Sequence, residues 1–187
     1  ERINYDRSIN GRLRVNALEG DDYIYSDDNS SITTFDGAGG DDTFQFGQIY
    51  GSPRVSEDTA TLNEAATVAA GDEVATVETT VGFLSRGISF PTTVYGGDGD
   101  DNFAVYSNQA LLKLFGEADN DEFVIRAFVI KNESGQSELF GTDTEVNTGD
   151  GDDHVEYNIN APVSIDGGTG ADTVVVIGTE EADNFVI

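Results

Sequence analysis

GGDGDDNFA (96–104) decides the reading of this chain, and GGTGADTVV (167–175) repeats it. Both place glycine at positions 1, 2 and 4, aspartate at position 6 and a large apolar residue at position 8. Looser copies are ALEGDDYIY (17–25), GAGGDDTFQ (37–45), GEADNDEFV (116–124), TGDGDDHVE (148–156) and GTEEADNFV (178–186). Position 6 is aspartate in all of them: Asp22, Asp42, Asp101, Asp121, Asp153, Asp172 and Asp183. Glycine tolerates positive φ at little steric cost, so the start of each copy reads as a tight bend. The alternating apolar residues that follow read as a short strand with one face inward.

The intervals between these aspartates are 20, 59, 20, 32, 19 and 11 residues. A recurring interval of 19 to 20 fits one coil of a repeat architecture built from two short strands and two turns. The expected fold is therefore all-β, a parallel β-solenoid (β-roll or β-helix) with coils of about 20 residues. Ile24, Phe44, Phe103, Phe123, Val155, Val174 and Phe185 share the inward slot and should stack into one apolar column. Residues 1–187 are expected to form a single solenoid domain, and the closing DNFVI reads as a strand cut in mid-course, which favours a fragment of a longer chain. Residues 48–93 carry no good copy of the turn and are expected to be an excursion or metal-free coils. Their stretch 61–74 has some helical appeal, which Thr, Val and the nearby Gly71 weaken. Residues 131–143 read as a polar insertion that lengthens the 32-residue interval.

Composition narrows the chemistry. The 187 residues hold 36 acidic and 9 basic side chains, a formal net charge of -27, which disfavours nucleic acid and anionic membranes as direct partners. Cys, Met and Trp are absent, which removes disulfide scaffolds, thiolate zinc sites and cysteine nucleophiles. The single histidine, His154, makes His-based triads and multi-His metal centres poor readings. No stretch is long and apolar enough to span a bilayer. What remains is oxygen chemistry from carboxylates and backbone carbonyls, the ligands that calcium takes six to eight at a time. One short turn rarely supplies so many, whereas two stacked turns can. Position-6 aspartates of successive coils are the candidate ligands, with Asp22 and Asp42, Asp101 and Asp121, and Asp153 and Asp172 as the clearest pairs. Asp98, Asp100, Asp119, Asp150 and Asp152 flank them as further candidates that either ligate or simply raise the local negative potential, with Asp183 the position-6 residue of the last copy.

The copies together resemble the hemolysin-type (RTX) calcium-binding repeat, whose family fold is the parallel β-roll and whose members are secreted bacterial toxins, proteases, lipases, adhesins and very large surface proteins. The resemblance implies calcium binding at Gly96, Gly97, Gly99 and Asp101, and at Gly167, Gly168, Gly170 and Asp172. The copies at Gly116 and Gly178 depart from it, with Glu117, Ala118, Asp119 and with Thr179, Glu180, Glu181 where the pattern has glycines. Acidic turns also recur once per 19 to 20 residues instead of every nine, so the metal row is expected along one edge only, with turns such as SNQA (107–110) on the other.

The favoured expectation is a non-enzymatic calcium-binding structural or adhesive module of a secreted or bacterial cell-surface protein. Folding, and head-to-tail self-association into a filament or onto neighbouring repeats, would be coupled to calcium. Surface glycans are a further conceivable partner. The alternative is the repeat tail of a secreted hydrolase, protease or polysaccharide-modifying enzyme whose catalytic domain lies outside this chain. Asn29-Ser30-Ser31 and Asn132-Glu133-Ser134 also match an N-glycosylation acceptor, a reading that carries little weight if the source is bacterial, as the resemblance implies.

Overall fold

The computed structural model describes residue 9 and residues 11–54, 74–131, 137–178 and 182–183. Residues 61–73 of the alanine-containing stretch lie outside them, as does Phe185. The described residues contain no helix and seventeen strands. In chain order these are β1 (Arg12–Glu19), β2 (Tyr23–Ser26), β3 (Ile32–Gly39), β4 (Thr43–Phe46), β5 (Ile49–Tyr50), β6 (Thr76–Glu78), β7 (Phe83–Ser85), β8 (Thr92–Asp98) and β9 (Asn102–Val105). There follow β10 (Leu112–Ala118), β11 (Glu122–Ile125), β12 (Phe128–Lys131), β13 (Ser137–Phe140), β14 (Thr144–Asp150), β15 (His154–Asn158), β16 (Val163–Asp166) and β17 (Thr173–Ile177).

Twelve strands build two open, six-stranded parallel sheets, one in the order β1-β3-β8-β10-β14-β16 and the other β2-β4-β9-β11-β15-β17. The chain alternates between them, and each crossing from the first sheet to the second is one Gly/Asp turn. One strand from each sheet thus makes a layer, and six layers stack. Parallel pairing is possible because each strand returns to its sheet only after visiting the other, which supplies the long crossover that parallel neighbours require.

The core lies between the sheets and follows from period-2 alternation. Position 8 forms one column in strict register, Ile24, Phe44, Phe103, Phe123, Val155 and Val174, as the sequence implied. Its phenylalanines stack face to face, with ring centroids 5.1 Å apart for Phe44 and Phe103 and 4.5 Å for Phe103 and Phe123. That spacing is imposed by the roughly 4.8 Å separation of neighbouring strands. Opposite, Val15, Phe35, Val94, Leu114, Val146 and Ile165 align in the first sheet. Phe35 packs across the core against Phe46, 6.1 Å between centroids.

The long intervals resolve as single steps interrupted by excursions. β3 pairs directly with β8 and β4 with β9, so the 59-residue interval is one layer plus an excursion that carries the antiparallel sheet β5-β7-β6. The 32-residue interval is one layer plus the antiparallel pair β12 and β13, so the extra length starts at Phe128, before the sequence-expected Lys131, and residues 132–136 lie outside the description. The larger excursion is anchored by polar contacts to the edge opposite the acidic turns. Ser85 Oγ and Tyr50 OH each donate to the Asp27 carboxylate at 2.9 Å, and Ser26 Oγ donates to the Gly87 carbonyl at 2.7 Å. Asn29 is buried there, its Oδ1 accepting the N–H groups of Ser89 and Phe90 at 2.8 Å and its Nδ2 donating to the carbonyls of Ser31 and Phe90. A buried amide engaged at both ends is no glycan acceptor.

Phe103 is 1% exposed and stacks on both sides, so Phe103→Ala is expected to lower stability by about 3–5 kcal/mol. Urea unfolding should show this as a lower midpoint with an unchanged slope; a shift worth under about 1 kcal/mol would contradict the stacked core.

Candidate functional site

Each acidic turn has the same backbone path whether or not its sequence is ideal. At position 2 φ is positive in all six layers: Leu18 (80°), Ala38 (75°), Gly97 (121°), Glu117 (82°), Gly149 (107°) and Gly168 (63°). Position 4 behaves likewise, from Asp119 at 70° to Gly151 at 148°. Stacking explains why glycine is preferred. A Cβ on Gly97 would overlap the carbonyl oxygen of Ala38 in the layer before, and one on Gly99 or Gly170 would overlap those of Gly40 or Gly151. The degenerate copies keep the path at a steric cost of about 1–2 kcal/mol for each non-glycine residue.

Position 1 serves a different purpose. A Cβ built on Gly37, Gly96 or Gly116 would overlap Oδ2 of the position-6 aspartate of the same turn, Asp42, Asp101 or Asp121, and one on Gly167 would lie 2.7 Å from Oδ2 of Asp172. The missing side chain makes room for the carboxylate to fold inward. There it joins a ladder. Asp42 Oδ1 accepts the N–H of Asp22, Asp101 Oδ1 that of Asp42, Asp121 Oδ1 that of Asp101, Asp153 Oδ1 that of Asp121 and Asp172 Oδ1 that of Asp153, at 2.8 to 3.2 Å. All three expected pairs are neighbours in this ladder, which also joins Asp42 to Asp101 and Asp121 to Asp153 across the two excursions.

A second ladder runs the other way at position 5. Asp21 Oδ1 accepts the N–H of Asp41, Asp41 that of Asp100, Asp100 that of Asn120, Asn120 that of Asp152 and Asp152 that of Ala171, at 2.8 to 3.1 Å. Sequence reading took two of its members, Asp100 and Asp152, only as flanking carboxylates; the doublets DD, DD, DD, ND and DD were the signal for the whole file. Each turn is thereby tied to both neighbours through adjacent residues.

The remaining candidates lie outside the position-6 ladder. Asp98 and Asp150 end strands at position 3, where Asp150 Oδ1 accepts the Thr169 hydroxyl at 2.7 Å. Asp119 Oδ2 accepts the Gly99 N–H at 3.2 Å. Asp183 stands beyond β17, outside both ladders. Among the described residues no three acidic or histidine side chains converge on a point where a metal ion would sit.

The position-6 carboxylates are electrostatically unsatisfied. Oδ1 is used, but Oδ2 of Asp42, Asp101, Asp121 and Asp153 is buried without a hydrogen-bond partner. The glycine beside each of the first three also faces a carbonyl oxygen of the following layer, from Gly96, Gly116 and Thr148 respectively. An anionic oxygen buried among acceptors needs a proton or a cation. Burial is the main cause that pushes Asp101 up to about 7 and Asp121 up to about 8, with repulsion from neighbouring aspartates adding to it and the accepted N–H opposing it. Asp42 is raised for the same reasons, and Glu117 by burial with Asp36 and Asp98 nearby.

Comparison with protein-family models, with curated proteins and with solved structures finds no match for this chain.

Two outcomes follow from this geometry. Ala38→Gly should stabilise the fold by about 0.5–1 kcal/mol, whereas Gly97→Ala should destabilise it by roughly 2–4 kcal/mol; equal effects in chemical unfolding would contradict the stacking argument. The pH dependence has a definite sign. The folded chain holds protons on Asp101 and Asp121 that the unfolded chain has released, so with a chelator present stability should fall as pH rises from about 4 to about 8. Asp121→Asn keeps an oxygen for the Asp101 N–H and supplies a neutral donor in place of Oδ2, so it should flatten that fall and raise the melting temperature at pH 8.

Proposed function

We propose that this chain is a non-enzymatic, calcium-binding structural or adhesive module of a secreted or cell-surface protein, a parallel β-solenoid of the kind the hemolysin-type repeat implies. The observation that carries the reading is the row of four buried, unpartnered Oδ2 oxygens, one per layer, at Asp42, Asp101, Asp121 and Asp153. All the nearby donors are hard oxygens, which fits calcium and disfavours softer metals. Residues that would hold the ion are these aspartates with the carbonyls of Gly96, Gly116 and Thr148. One carboxylate per layer means that backbone oxygens would complete the shell. Asp172 and the position-1, position-2 and position-4 glycines at 96, 97, 99, 167, 168 and 170 supply the same turn at its most regular.

The non-enzymatic part of the reading comes from the side-chain inventory: no cysteine, a single histidine and nine basic residues offer little for nucleophilic or acid–base catalysis. A charge of -27 is itself a reason for the ion: self-repulsion opposes the compact state, and calcium bound between layers offsets it where it is most concentrated. Because the donors come from different layers, the unfolded chain has no site, and binding energy becomes folding energy. At a free calcium concentration about 100 times Kd each site adds about 2.7 kcal/mol.

Far-ultraviolet circular dichroism at pH 8 should therefore show a calcium-induced gain of β structure or of melting temperature that a chelator reverses. Asp101→Asn and Asp153→Asn should weaken calcium affinity in calorimetry. An unchanged melting temperature between chelator and millimolar calcium would overturn the proposal.

A further inference from the structure

The four buried Oδ2 oxygens are not equivalent, and the residue at position 1 separates them. Glycine there does not serve the backbone angle: positive φ falls at positions 2 and 4 of the turns, and none of Gly37, Gly96 and Gly116 has it. It serves the space between layers. A Cβ on Gly37, Gly96 or Gly116 would collide at once with Oδ2 of its own aspartate, Asp42, Asp101 or Asp121, and with the carbonyl oxygen of Gly96, Gly116 or Thr148 in the layer after. Two oxygens that a single carbon atom would touch are near enough to share one calcium ion, whose bonds to oxygen run to about 2.3–2.6 Å. In the next layer position 1 is Thr148, and the same space is filled. Thr148 is fully buried, and its hydroxyl donates at 2.9 Å to the carbonyl of Gly167, the counterpart of the Gly96, Gly116 and Thr148 carbonyls. A hydroxyl has one proton to give. Given to Gly167, it leaves Oδ2 of Asp153 without a partner, and the carbonyl that would share an ion with it is already engaged.

We infer that Thr148 grades the row: calcium binds more tightly at Asp42, Asp101 and Asp121, and the position of Asp153 is the weakest of the four. The inference rests on the calcium reading above and adds which layers carry it. Its physical basis is competition. Before the Gly167 carbonyl can turn to an ion, the Thr148 hydroxyl has to release it, and one hydrogen bond lost is about a five- to tenfold loss in affinity. The Thr148 side chain also stays in the space that glycine leaves open in the three preceding layers. Thr148 thus does without metal part of what the ion would do there, tying one layer to the next along the acidic edge. Its own carbonyl takes no part in this and still faces Asp121, so a change of side chain at 148 leaves the Asp121 position its backbone ligand.

Calcium titration by calorimetry at pH 8 tests the inference, after circular dichroism in chelator at pH 5 has shown that each variant folds. Asp153→Asn should cost the weakest binding step and leave the tighter ones, whereas Asp101→Asn should cost a tight one. Thr148→Gly should strengthen the weakest step by about five- to tenfold, and the gain should vanish when Asp153→Asn is added. Gly96→Thr moves the obstruction to the Asp101 layer and should weaken a tight step by a similar factor, so it reads the same competition from the other side where Thr148→Gly does not fold. No calcium binding by the unmodified chain would overturn the proposed function and this inference with it. Calcium binding by the unmodified chain, with the weakest step unchanged in Thr148→Gly or a tight step lost in Asp153→Asn, would overturn this inference alone.

Discussion

The fold depends on one hydrogen bond made five times, from the N–H of a position-6 aspartate to the carboxylate of the next. A bend through six residues leaves several backbone N–H groups pointing along the stacking axis, where strand pairing has stopped. Unpaired and buried, each would cost on the order of 1–3 kcal/mol. The aspartate is short enough to turn back to the bend and reach the adjacent layer. It can do so only where position 1 leaves room, which ties the Gly37, Gly96, Gly116 and Gly167 identities to Asp42, Asp101, Asp121 and Asp172. Thr148 is the exception. It is fully buried, keeps a Cβ beside Asp153 and uses its hydroxyl to bind the Gly167 carbonyl at 2.9 Å.

The ladder solves the backbone problem by creating an electrostatic one. It brings a file of carboxylates into the interior, each accepting at one oxygen and empty at the other. A proton would relieve this at acidic pH, and under the proposed function a calcium ion would relieve it at higher pH. The acidic residues that dominate the composition are thus of two kinds: those at positions 5 and 6, whose carboxylates tie the turns together, and exposed ones, such as Asp98, that set the potential around them. On the sheet surfaces the few basic residues are spent on cross-strand pairs, Arg14 with Asp36, Lys113 with Glu145 and Arg126 with Glu156. These partly exposed pairs are worth little individually, and serve more to keep like charges from meeting.

Much of this was legible in the sequence. Period-2 alternation after each turn placed the column from Ile24 to Val174, and the interval of 19 to 20 placed the layers. The direction of the aspartates was not legible. A Gly/Asp turn reads equally well with its carboxylates pointing outward or inward, and only the stacked geometry shows that those at position 6 turn inward and bind a neighbour's backbone. Position 5 read only as flanking carboxylates because Asn120 and Ala171 blur it; Ala171 donates its N–H to Asp152 and has no side-chain oxygen to offer in return. Leu18, Ala38, Glu117 and Asp119 looked like degraded glycine positions, yet the backbone holds them at positive φ because the stacked neighbouring layers over-determine the path. The excursions were marked by the absence of a motif, which says where the repeat stops but not how the intervening chain pairs.

Amide hydrogen exchange of a dilute, folded chain tests the central claim most directly. The account predicts that the N–H groups of Asp42, Asp101, Asp121 and Asp153, each bound by a neighbouring carboxylate, exchange as slowly as those of the core strands. The N–H of Asp172, which no acceptor among the described residues reaches, should exchange faster by orders of magnitude. Rapid exchange at Asp101 and Asp121, or the same rate at Asp172 as at Asp101, would contradict it.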